Sequence, residues 1–299
     1  MTLRLGIVGL SDGNGHPYSW AAIFNGYDSD AMADCGFPVI PQYLAQQTWP
    51  DVTIAEARVT HVWTQDSGLS AKVARAARIP HVADRLTDMV GSVDGLLLAR
   101  DDAKTHYEIA KPFLEAGLPI YIDKPICLSL AELDRIYALQ RYPGQIFTCS
   151  ALRYGSDFVL SDEDREAIGP IHEIHGITPK YWDTYAAHVI ESVLALAGDV
   201  GSVEDAVVSH GCHGGTTLTV RWKSGFGATV SAMGKQTACP LTLRVMGARG
   251  WRDLVFVDSF NAFRAALFDF VQGVLHRDVR SDPAFVRRVV ETIELGRVP

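Results

Sequence analysis

The sequence Gly6-Ile-Val-Gly9-Leu-Ser-Asp-Gly13-Asn-Gly15-His-Pro-Tyr-Ser19 lies between an apolar strand pattern and a helix pattern. Glycines in such a turn let the backbone approach a phosphate closely, and the following helix offers N–H groups and partial positive charge. The spacing departs from G-x-G-x-x-G, because Ser11 replaces the second glycine and Asn14 replaces the third. A dinucleotide-binding turn and a structural loop are therefore both open interpretations at this point.

Outward from this turn, the first half of the chain alternates strand and helix patterns. Strands are predicted at residues 5–8, 59–64, 93–99, 119–122 and 145–149, and helices at 18–25, 69–77, 107–116 and 130–140. Residues 26–56, with two glycines and three prolines, are predicted to be a long irregular insertion. This alternation predicts βαβ units in a doubly wound parallel sheet, with residues 1–150 as an N-terminal Rossmann dinucleotide-binding domain.

The pattern changes after residue 150. Strands are predicted at residues 171–177, 203–209, 216–222, 227–232, 241–246 and 251–257, and helices at 185–197, 262–275 and 283–295. Consecutive strands with few helices between them are typical of an antiparallel sheet. Residues 151–299 are therefore predicted to form a C-terminal α+β domain with a largely antiparallel open sheet, for substrate binding and oligomerisation. Its last helix is a candidate to pack back on the first domain.

Composition excludes several classes of protein. The 299 residues include 27 Lys and Arg and 35 Asp and Glu, giving a net charge of −8, and 47% of them are hydrophobic. Disorder and a disulfide scaffold do not fit this composition, and an acidic balance argues against nucleic-acid binding. Since no apolar stretch reaches about 18 residues, no membrane segment is expected. Five scattered cysteines without a C-x-x-C pair predict reduced thiols in a cytoplasmic protein.

Polar residues follow two of the predicted strands in the first domain. Asp66 lies where a carboxylate binds the adenosine ribose in dinucleotide folds, which favours NAD over NADP; a helix N-cap is the alternative. Asp123 and Lys124, followed by Pro125, end another buried strand at the edge where open α/β sheets bind ligands. A surface ion pair at a turn is the alternative interpretation of this second motif.

The order of these motifs resembles the Gfo/Idh/MocA family of glucose–fructose oxidoreductases and inositol dehydrogenases. The similarity rests on residues 93–99 (VDGLLLA), His106, residues 113–117 (FLEAG) and Asp123-Lys124-Pro125, which stand in the family's order and spacing. It covers most of the chain and implies the same two-domain fold. Within this resemblance, the glycine-rich turn of the chain diverges from the usual glycine fingerprint, because Ser11 and Asn14 replace two of its glycines.

The resemblance assigns roles in the first domain. Lys124 matches the lysine that lies near nicotinamide and substrate and assists proton transfer, and Asp123 replaces the family's glutamate. The implied cofactor is NAD or NADP, with NAD slightly favoured. The implied cofactor-binding residues are Gly9, Ser11, Gly13, Gly15, Asp66, His106 and Lys124.

In the second domain the family signature is D-x-x-x-H-x-x-D, whose histidine is the general acid or base. His188 and Glu191 match it, one helical turn apart on one face. Thr184 stands where the first aspartate belongs, and Asp183 is one residue away, which rotates its carboxylate by about 100° on a helix. Tyr185 is a candidate to supply a hydroxyl instead. The catalytic candidates are therefore Lys124, His188, Tyr185 and Asp123.

Further candidates are weaker. Arg153, Lys180, Trp182 and Asp183 are candidate substrate contacts, although each residue type more often lies on the surface or in the core. The sequences His210-Gly-Cys-His213 and His172-Glu-Ile-His175 suggest metal ligands, but neither supplies three convergent side chains, so no metal is expected.

The predicted function is NAD(P)-dependent hydride transfer on a sugar, polyol or sugar derivative. The predicted partners are a carbohydrate-related small molecule and, as the family implies, further copies of the chain in a dimer or tetramer. Two alternatives stay open. One is a lyase or glycosidase that uses bound NAD without net redox change, and the other is a non-catalytic nucleotide- or sugar-binding regulatory member of the same fold.

Overall fold

The computed structural model describes residues 2–297. These residues form two compact units. The first comprises the chain up to Cys127 together with Ala131–Thr148 and Phe263–Asp282. The second comprises Leu128–Leu130, Cys149–Ala262 and the chain from Pro283 onward.

The first unit contains a six-stranded parallel sheet with the strand order β3-β2-β1-β4-β5-β6. Its strands are β1 (Leu3–Val8), β2 (Ala57–Trp63), β3 (His81–Val82), β4 (Gly95–Leu98), β5 (Ile120–Ile122) and β6 (Ile146–Phe147). Its helices include α1 (His16–Asn25), α4 (Ser67–Ala76), α5 (His106–Glu115) and most of α6 (Leu130–Tyr137). This order confirms the predicted doubly wound sheet. The sequence pattern did not predict the two-residue strand β3, because its side chains are exposed.

The central strands read as continuous apolar runs because both faces of the sheet are covered. All four residues of β4 are buried, and so are all three residues of β5. Such strands bury every side chain, so their sequence shows no alternation. Polar residues consequently begin where each strand ends, at the edge that holds the candidate site.

The sequence predicted that residues 26–56 form an irregular insertion, and this prediction is wrong. The insertion contains helices α2 (Ser29–Ala33) and α3 (Val39–Ala45). Asp28 caps α2 by accepting a hydrogen bond from the Ala31 N–H at 2.9 Å. Met32 and Leu44 are fully buried. Tertiary packing stabilises these short helices, whereas their own propensity is too weak to show in the sequence.

The second unit contains a six-stranded sheet with the order β12-β11-β7-β10-β9-β8. Its strands are β7 (Ile171–Thr178), β8 (Val203–His210), β9 (Thr216–Trp222), β10 (Gly227–Ala232), β11 (Thr242–Gly247) and β12 (Trp251–Val255). β7 and β10 run parallel, and the neighbouring pairs are antiparallel. The predicted largely antiparallel sheet is thus confirmed.

Helix α8 (Ala187–Ala197) packs against one face of this sheet. A Cβ atom built on Gly176 of β7 would lie 2.0 Å from Cγ1 of Val189, so only glycine permits this approach. On the same face Leu218, Val220 and Trp222 of β9 are buried, while the residues between them are exposed. The alternation explains why these strands were visible in the sequence.

The remaining helices are α7 (Asp162–Ile168), α9 (Ser259–His276) and α10 (Pro283–Leu295). Helix α7 was not predicted, although Ser161 caps it by accepting from the Asp164 N–H at 3.0 Å. The helix predicted at residues 185–197 begins with a π-helical turn, Trp182–Ala186, which continues directly into α8. Residues of α9 from Phe263 onward belong to the first unit.

Candidate active-site residues in the two units

Lys124 lies just beyond the carboxyl end of β5 and is buried beside a carboxylate. Its Nζ is 3.8 Å from Oδ2 of Asp101, with side-chain exposures of 5% and 11%. Asp101 follows β4, and its Oδ1 accepts a 2.5 Å hydrogen bond from the Ser11 hydroxyl, which itself accepts from the Asp101 N–H at 3.1 Å. Residues that follow three neighbouring strands, β1, β4 and β5, therefore meet at one sheet edge, where parallel α/β sheets bind ligands.

Asp123 is buried and faces the start of α1. Its Oδ2 lies 2.6 Å from Nδ1 of His16 and accepts from the Asn14 amide at 3.0 Å, and its Oδ1 accepts from the Lys124 N–H at 2.8 Å. Burial alone would raise the pKa of Asp123, but the charge and hydrogen bond of His16, with Lys124 beside it, lower that pKa below its usual value. Asp123 therefore carries a buried negative charge and fixes the backbone that presents Lys124.

The glycine-rich turn offers backbone donors for a phosphate. Gly13 has a φ of +73°, and a Cβ there would meet nothing within 4 Å. Within residues 2–297, the N–H groups of Asp12 and Gly13 make no intramolecular hydrogen bond, and both residues are exposed. A Cβ at Gly9 would lie 2.2 Å from Cγ of Pro17, so this glycine lets α1 approach β1. The turn therefore fits the phosphate of a dinucleotide, despite its irregular spacing.

Gly15 has a different role in the same turn. A Cβ there would lie 2.5 Å from Cδ1 of Ile40, in the α3 insertion, and the residue is buried. Ser11, by its hydrogen bonds to Asp101, links the turn to the end of β4. The insertion and the turn are thus packed as one structure.

Asp66 and His106 make local structural contacts. The Asp66 carboxylate caps α4 by accepting from the Leu69 N–H at 2.6 Å, which is the alternative that the sequence left open. His106 is fully buried, and its ring nitrogens lie 3.0 Å from the Ile126 carbonyl and 2.9 Å from the Arg100 carbonyl. Burial lowers the pKa of His106. Its ring thus joins the segment that follows β4 to the segment that follows Pro125.

His188, on α8 of the second unit, is held by a chain of polar contacts. Its Nδ1 lies 2.8 Å from Oγ of Ser150, whose N–H donates to Oε2 of Glu191 at 2.7 Å. Oε1 of Glu191 is 2.9 Å from Nε of Arg153. Burial raises the pKa of Glu191, and the Arg153 charge and the Ser150 N–H offset only part of this rise, so that the pKa lies at about 7. His188 and Glu191, one turn apart as predicted, thus share one network.

Arg153 is engaged within the protein. Besides Glu191, its guanidinium lies 5.0 Å from the Tyr154 ring centroid and 5.2 Å from that of Phe285. The candidate substrate contact Arg153 is therefore paired with a buried carboxylate of its own unit.

Tyr185 and Lys180 form a second pair beside His188. Nζ of Lys180 donates to the Tyr185 hydroxyl at 2.7 Å, and the rings of Tyr185 and His188 pack edge to face at 5.1 Å. Trp182 and Asp183 contact the end of α10 instead. The Trp182 indole N–H donates to the Ile293 carbonyl at 2.9 Å, and Asp183 pairs with Arg297 at 2.9 Å.

Four residues that contact the candidates were missed by the sequence reasoning, namely Asn14, His16, Asp101 and Ser150. Asp101 and Ser150 directly follow the strand patterns of residues 93–99 and 145–149. A search for polar residues one or two positions beyond each buried strand would have found both of them. The contacts of His16 and Asn14 with Asp123 span more than 100 residues of sequence, which no local pattern reveals.

The two remaining sequence patterns are the candidates for metal ligands at residues 172–175 and 210–213. His175 pairs with Glu173 on β7 at 2.6 Å. The Cys212 side chain of the second pattern lies outside the described part of the structure, and among the side chains that are described no three of His, Cys, Asp or Glu are arranged to hold a metal ion. Among the helices of residues 2–297, none has the length and apolar character that crossing a membrane requires.

Comparisons of the sequence with known proteins find oxidoreductases. Residues 35–150 match the model of the family described as "Oxidoreductase family, NAD-binding Rossmann fold". The "Putative oxidoreductase YceM" of Salmonella typhimurium is 26% identical over 171 residues, which are 52% of this chain and 53% of that protein. The match thus spans about half the length of this curated relative.

Solved structures share the fold of the whole chain. The myo-inositol 2-dehydrogenase of Lactobacillus plantarum has a TM-score of 0.72 at 15% identity, covering 98% of this chain and 96% of that one. GenD2 from gentamicin A biosynthesis, solved in complex with NAD, has a TM-score of 0.73 at 16% identity, covering 99% and 93%. At such identities the similarity establishes the fold alone.

Proposed function

We propose that the chain is a member of the Gfo/Idh/MocA oxidoreductase family, whose model residues 35–150 match, and that it catalyses NAD(P)-dependent hydride transfer on a sugar, polyol or sugar derivative. The observation that carries the proposal is the buried Lys124 beside Asp101 at the ligand-binding edge of the Rossmann sheet. The myo-inositol 2-dehydrogenase and GenD2 from gentamicin A biosynthesis share the fold, and we extend the polyol substrate of the first to this chain as part of the proposal.

The cofactor is proposed to be a nicotinamide dinucleotide, which would supply or accept the hydride when bound. The N–H groups of Asp12 and Gly13 are proposed to hold its phosphates. Asp66 is exposed at the end of β2, and its negative charge disfavours the additional phosphate of NADP there. We therefore propose NAD as the preferred cofactor.

Two side chains are proposed to handle the substrate's proton and charge. The Lys124 ammonium lies 3.8 Å from the Asp101 carboxylate, so a buried positive charge stands beside its counter-charge at the sheet edge. Lys124 is thus suited to stabilise an alkoxide oxygen. His188 is proposed as a general acid or base whose ring Ser150 orients.

Replacing Lys124 by methionine tests the proposal. We expect turnover to fall by at least about 10²-fold, because charge stabilisation and proton transfer are both lost. Turnover is measured by nicotinamide absorbance with a panel of sugars and polyols, and folding by circular dichroism. Lys72→Met, at an exposed position of α4, is the matched control. Wild-type rates in Lys124→Met would refute the assignment.

A second candidate function, non-catalytic binding of a nucleotide or sugar, is favoured by one observation. The first N–H groups of α1 are engaged, since His16 N–H donates to Asn14 at 2.8 Å and Pro17 has none. Titrating NAD(H) and NADP(H) while following nicotinamide fluorescence separates the two functions. Saturable binding of either cofactor together with turnover supports the oxidoreductase, whereas binding without turnover of any sugar or polyol, or failure to bind at millimolar levels, supports the second candidate.

The exposed face of the second sheet is proposed to be covered by another copy of the chain. The strand register places Ile177, Val207, Trp251 and Val255 on this face, and all four are exposed, Val207 and Trp251 by 60% and 56%. A face with several large apolar side chains in contact with water is typical of an interface. Light scattering after size-exclusion chromatography should give a dimer or tetramer, and Val207→Lys should shift it toward monomer.

A further inference from the structure

The Lys180 ammonium is paired with a phenol instead of a carboxylate. Its Nζ donates to the Tyr185 hydroxyl at 2.7 Å and lies 4.3 Å from the ring centroid. Within residues 2–297, Lys180 takes part in no ion pair with Asp or Glu. The Lys180 charge is thus directed at the Tyr185 oxygen, with no carboxylate to neutralise it.

The backbone on both sides of this pair is unusual. Lys180 has a φ of +62°, in the left-handed region that residues with a side chain rarely adopt. Its carbonyl accepts from the Gly234 N–H at 2.8 Å, which fixes this conformation. Tyr185 lies in the π-helical turn Trp182–Ala186. Left-handed residues and π-turns are both enriched at functional sites, and here they bring two specific side chains together.

The pair adjoins the candidate general acid. The Tyr185 ring packs edge to face on His188, whose Nδ1 lies 2.8 Å from the Ser150 hydroxyl. Thr184, the preceding residue, occupies the helical position where a carboxylate was expected from the sequence. A hydroxyl bound to an ammonium therefore stands next to a position that lacks its carboxylate.

We propose that Tyr185, in place of the candidate His188 beside it, is the group that exchanges the proton of the substrate oxygen, and that Lys180 is the positioning residue that stabilises its phenolate. This inference rests on the proposed function. In the direction of carbonyl reduction, the Tyr185 O–H bond breaks and its proton joins the alkoxide oxygen left by hydride addition. The electron pair stays on the phenolate oxygen, to which the Lys180 ammonium donates its hydrogen bond. In alcohol oxidation the same proton returns from the substrate hydroxyl to the phenolate.

Nitration by tetranitromethane tests the Lys180–Tyr185 pair without cofactor or turnover, because this reagent attacks phenolate. We expect Tyr185 to be nitrated several times faster in the wild type than in Lys180→Met, as followed by peptide mass spectrometry. Tyr181, which is 45% exposed and lies in the same turn region, is the internal control and should react equally in both proteins. Lys180→Arg, which keeps the charge, should retain most of the wild-type rate. Equal nitration of Tyr185 in the wild type and Lys180→Met would overturn the inference.

Kinetics then separate proton transfer from substrate binding. We expect Tyr185→Phe to lower kcat by about 10²-fold and Lys180→Met by about tenfold, with KM nearly unchanged. The double variant should be no slower than Tyr185→Phe, since Lys180 acts through the hydroxyl. A raised KM with unchanged kcat in Lys180→Met would make Lys180 a substrate contact and overturn the inference. Should the protein show no turnover at all, the proposed function fails while the nitration result still decides this pairing.

Discussion

Two buried carboxylates, one in each unit, differ in how their charge is held. Asp123 contacts three donors, His16, Asn14 and the Lys124 N–H, and its pKa is lowered despite burial. Glu191 has one backbone N–H and the Arg153 ion pair, and burial raises its pKa to about 7. For Asp123 the charge of His16 and the hydrogen bonds outweigh the effect of burial on the pKa, whereas for Glu191 burial outweighs the Arg153 charge and the Ser150 N–H. Asp123 of the first unit is therefore an anion at neutral pH, the permanent carboxylate. Glu191 of the second unit changes its charge near pH 7, and we call it the titrating carboxylate.

The largest effect is expected from removing the cation that partners the titrating carboxylate. Arg153→Met leaves Glu191 buried without its ion pair, so we expect a loss of about 3–5 kcal/mol in the free energy of unfolding at a pH above 7. Urea denaturation followed by circular dichroism measures the loss. It should shrink as the pH falls, because Glu191 then takes up a proton.

The double variant Arg153→Met, Glu191→Met is the control for this prediction. Replacing both members of a buried pair by apolar side chains of similar volume is often neutral or stabilising. We therefore expect most of the lost stability to return. If the double variant is as unstable as the single one, packing of Arg153 against Tyr154 and Phe285 matters more than charge.

The pH dependence of stability should expose the same carboxylate. Folding raises the pKa of Glu191 from 4.5 to about 7, so the folded protein holds this proton up to a higher pH than the unfolded chain does. Stability contributed by the protonated group is present below pH 4.5 and is lost as the pH rises through 7. Relative to Glu191→Gln, which does not titrate, the wild type should lose up to about 3 kcal/mol across this range. Parallel stability curves for the two proteins would contradict the expectation.

The elements of the fold also differ in how well the sequence predicts them. The strands were predictable from their patterns of apolar residues. β4 and β5 are continuous apolar runs because both faces are buried, and β9 alternates because only one of its faces is buried. Helices α2, α3 and α7 have five to seven residues and depend on caps and tertiary packing, so their local sequence carries little signal.

The candidate site was predictable only in part. Lys124 and His188 stand in recognisable motifs, so the sequence identifies them. Their partners Asp101 and Ser150 stand in no motif and reach them by folding across 23 and 38 residues. Asp66 and Arg153 are residue types that commonly bind ligands. In the fold, however, Asp66 caps helix α4 and Arg153 pairs with Glu191, and these contacts are visible only in the tertiary structure.

Two glycines permit close packing in the two units and allow a matched comparison of them. A Cβ at Gly9 would lie 2.2 Å from Pro17 in the first unit, and one at Gly176 would lie 2.0 Å from Val189 in the second. We expect Gly9→Ala and Gly176→Ala each to lower the free energy of unfolding by about 1–3 kcal/mol through overpacking. Gly211→Ala is the control, since its nearest neighbour would be 4.0 Å away. A loss in the control as large as in the other two would remove the steric explanation.

The smallest expected effects come from the two serines that join strand ends to candidate catalytic groups. Ser11 bonds Asp101 in the first unit, and Ser150 contacts His188 in the second. Each substitution by alanine should lower the free energy of unfolding by about 1 kcal/mol, the usual value of one hydrogen bond. Their functional effects should differ. Ser11→Ala, in the glycine-rich turn, should weaken cofactor binding in a fluorescence titration, whereas Ser150→Ala should leave that binding unchanged and lower turnover through a misoriented His188. The opposite assignment of the two effects would mean that the glycine-rich turn and His188 serve roles other than those proposed for them.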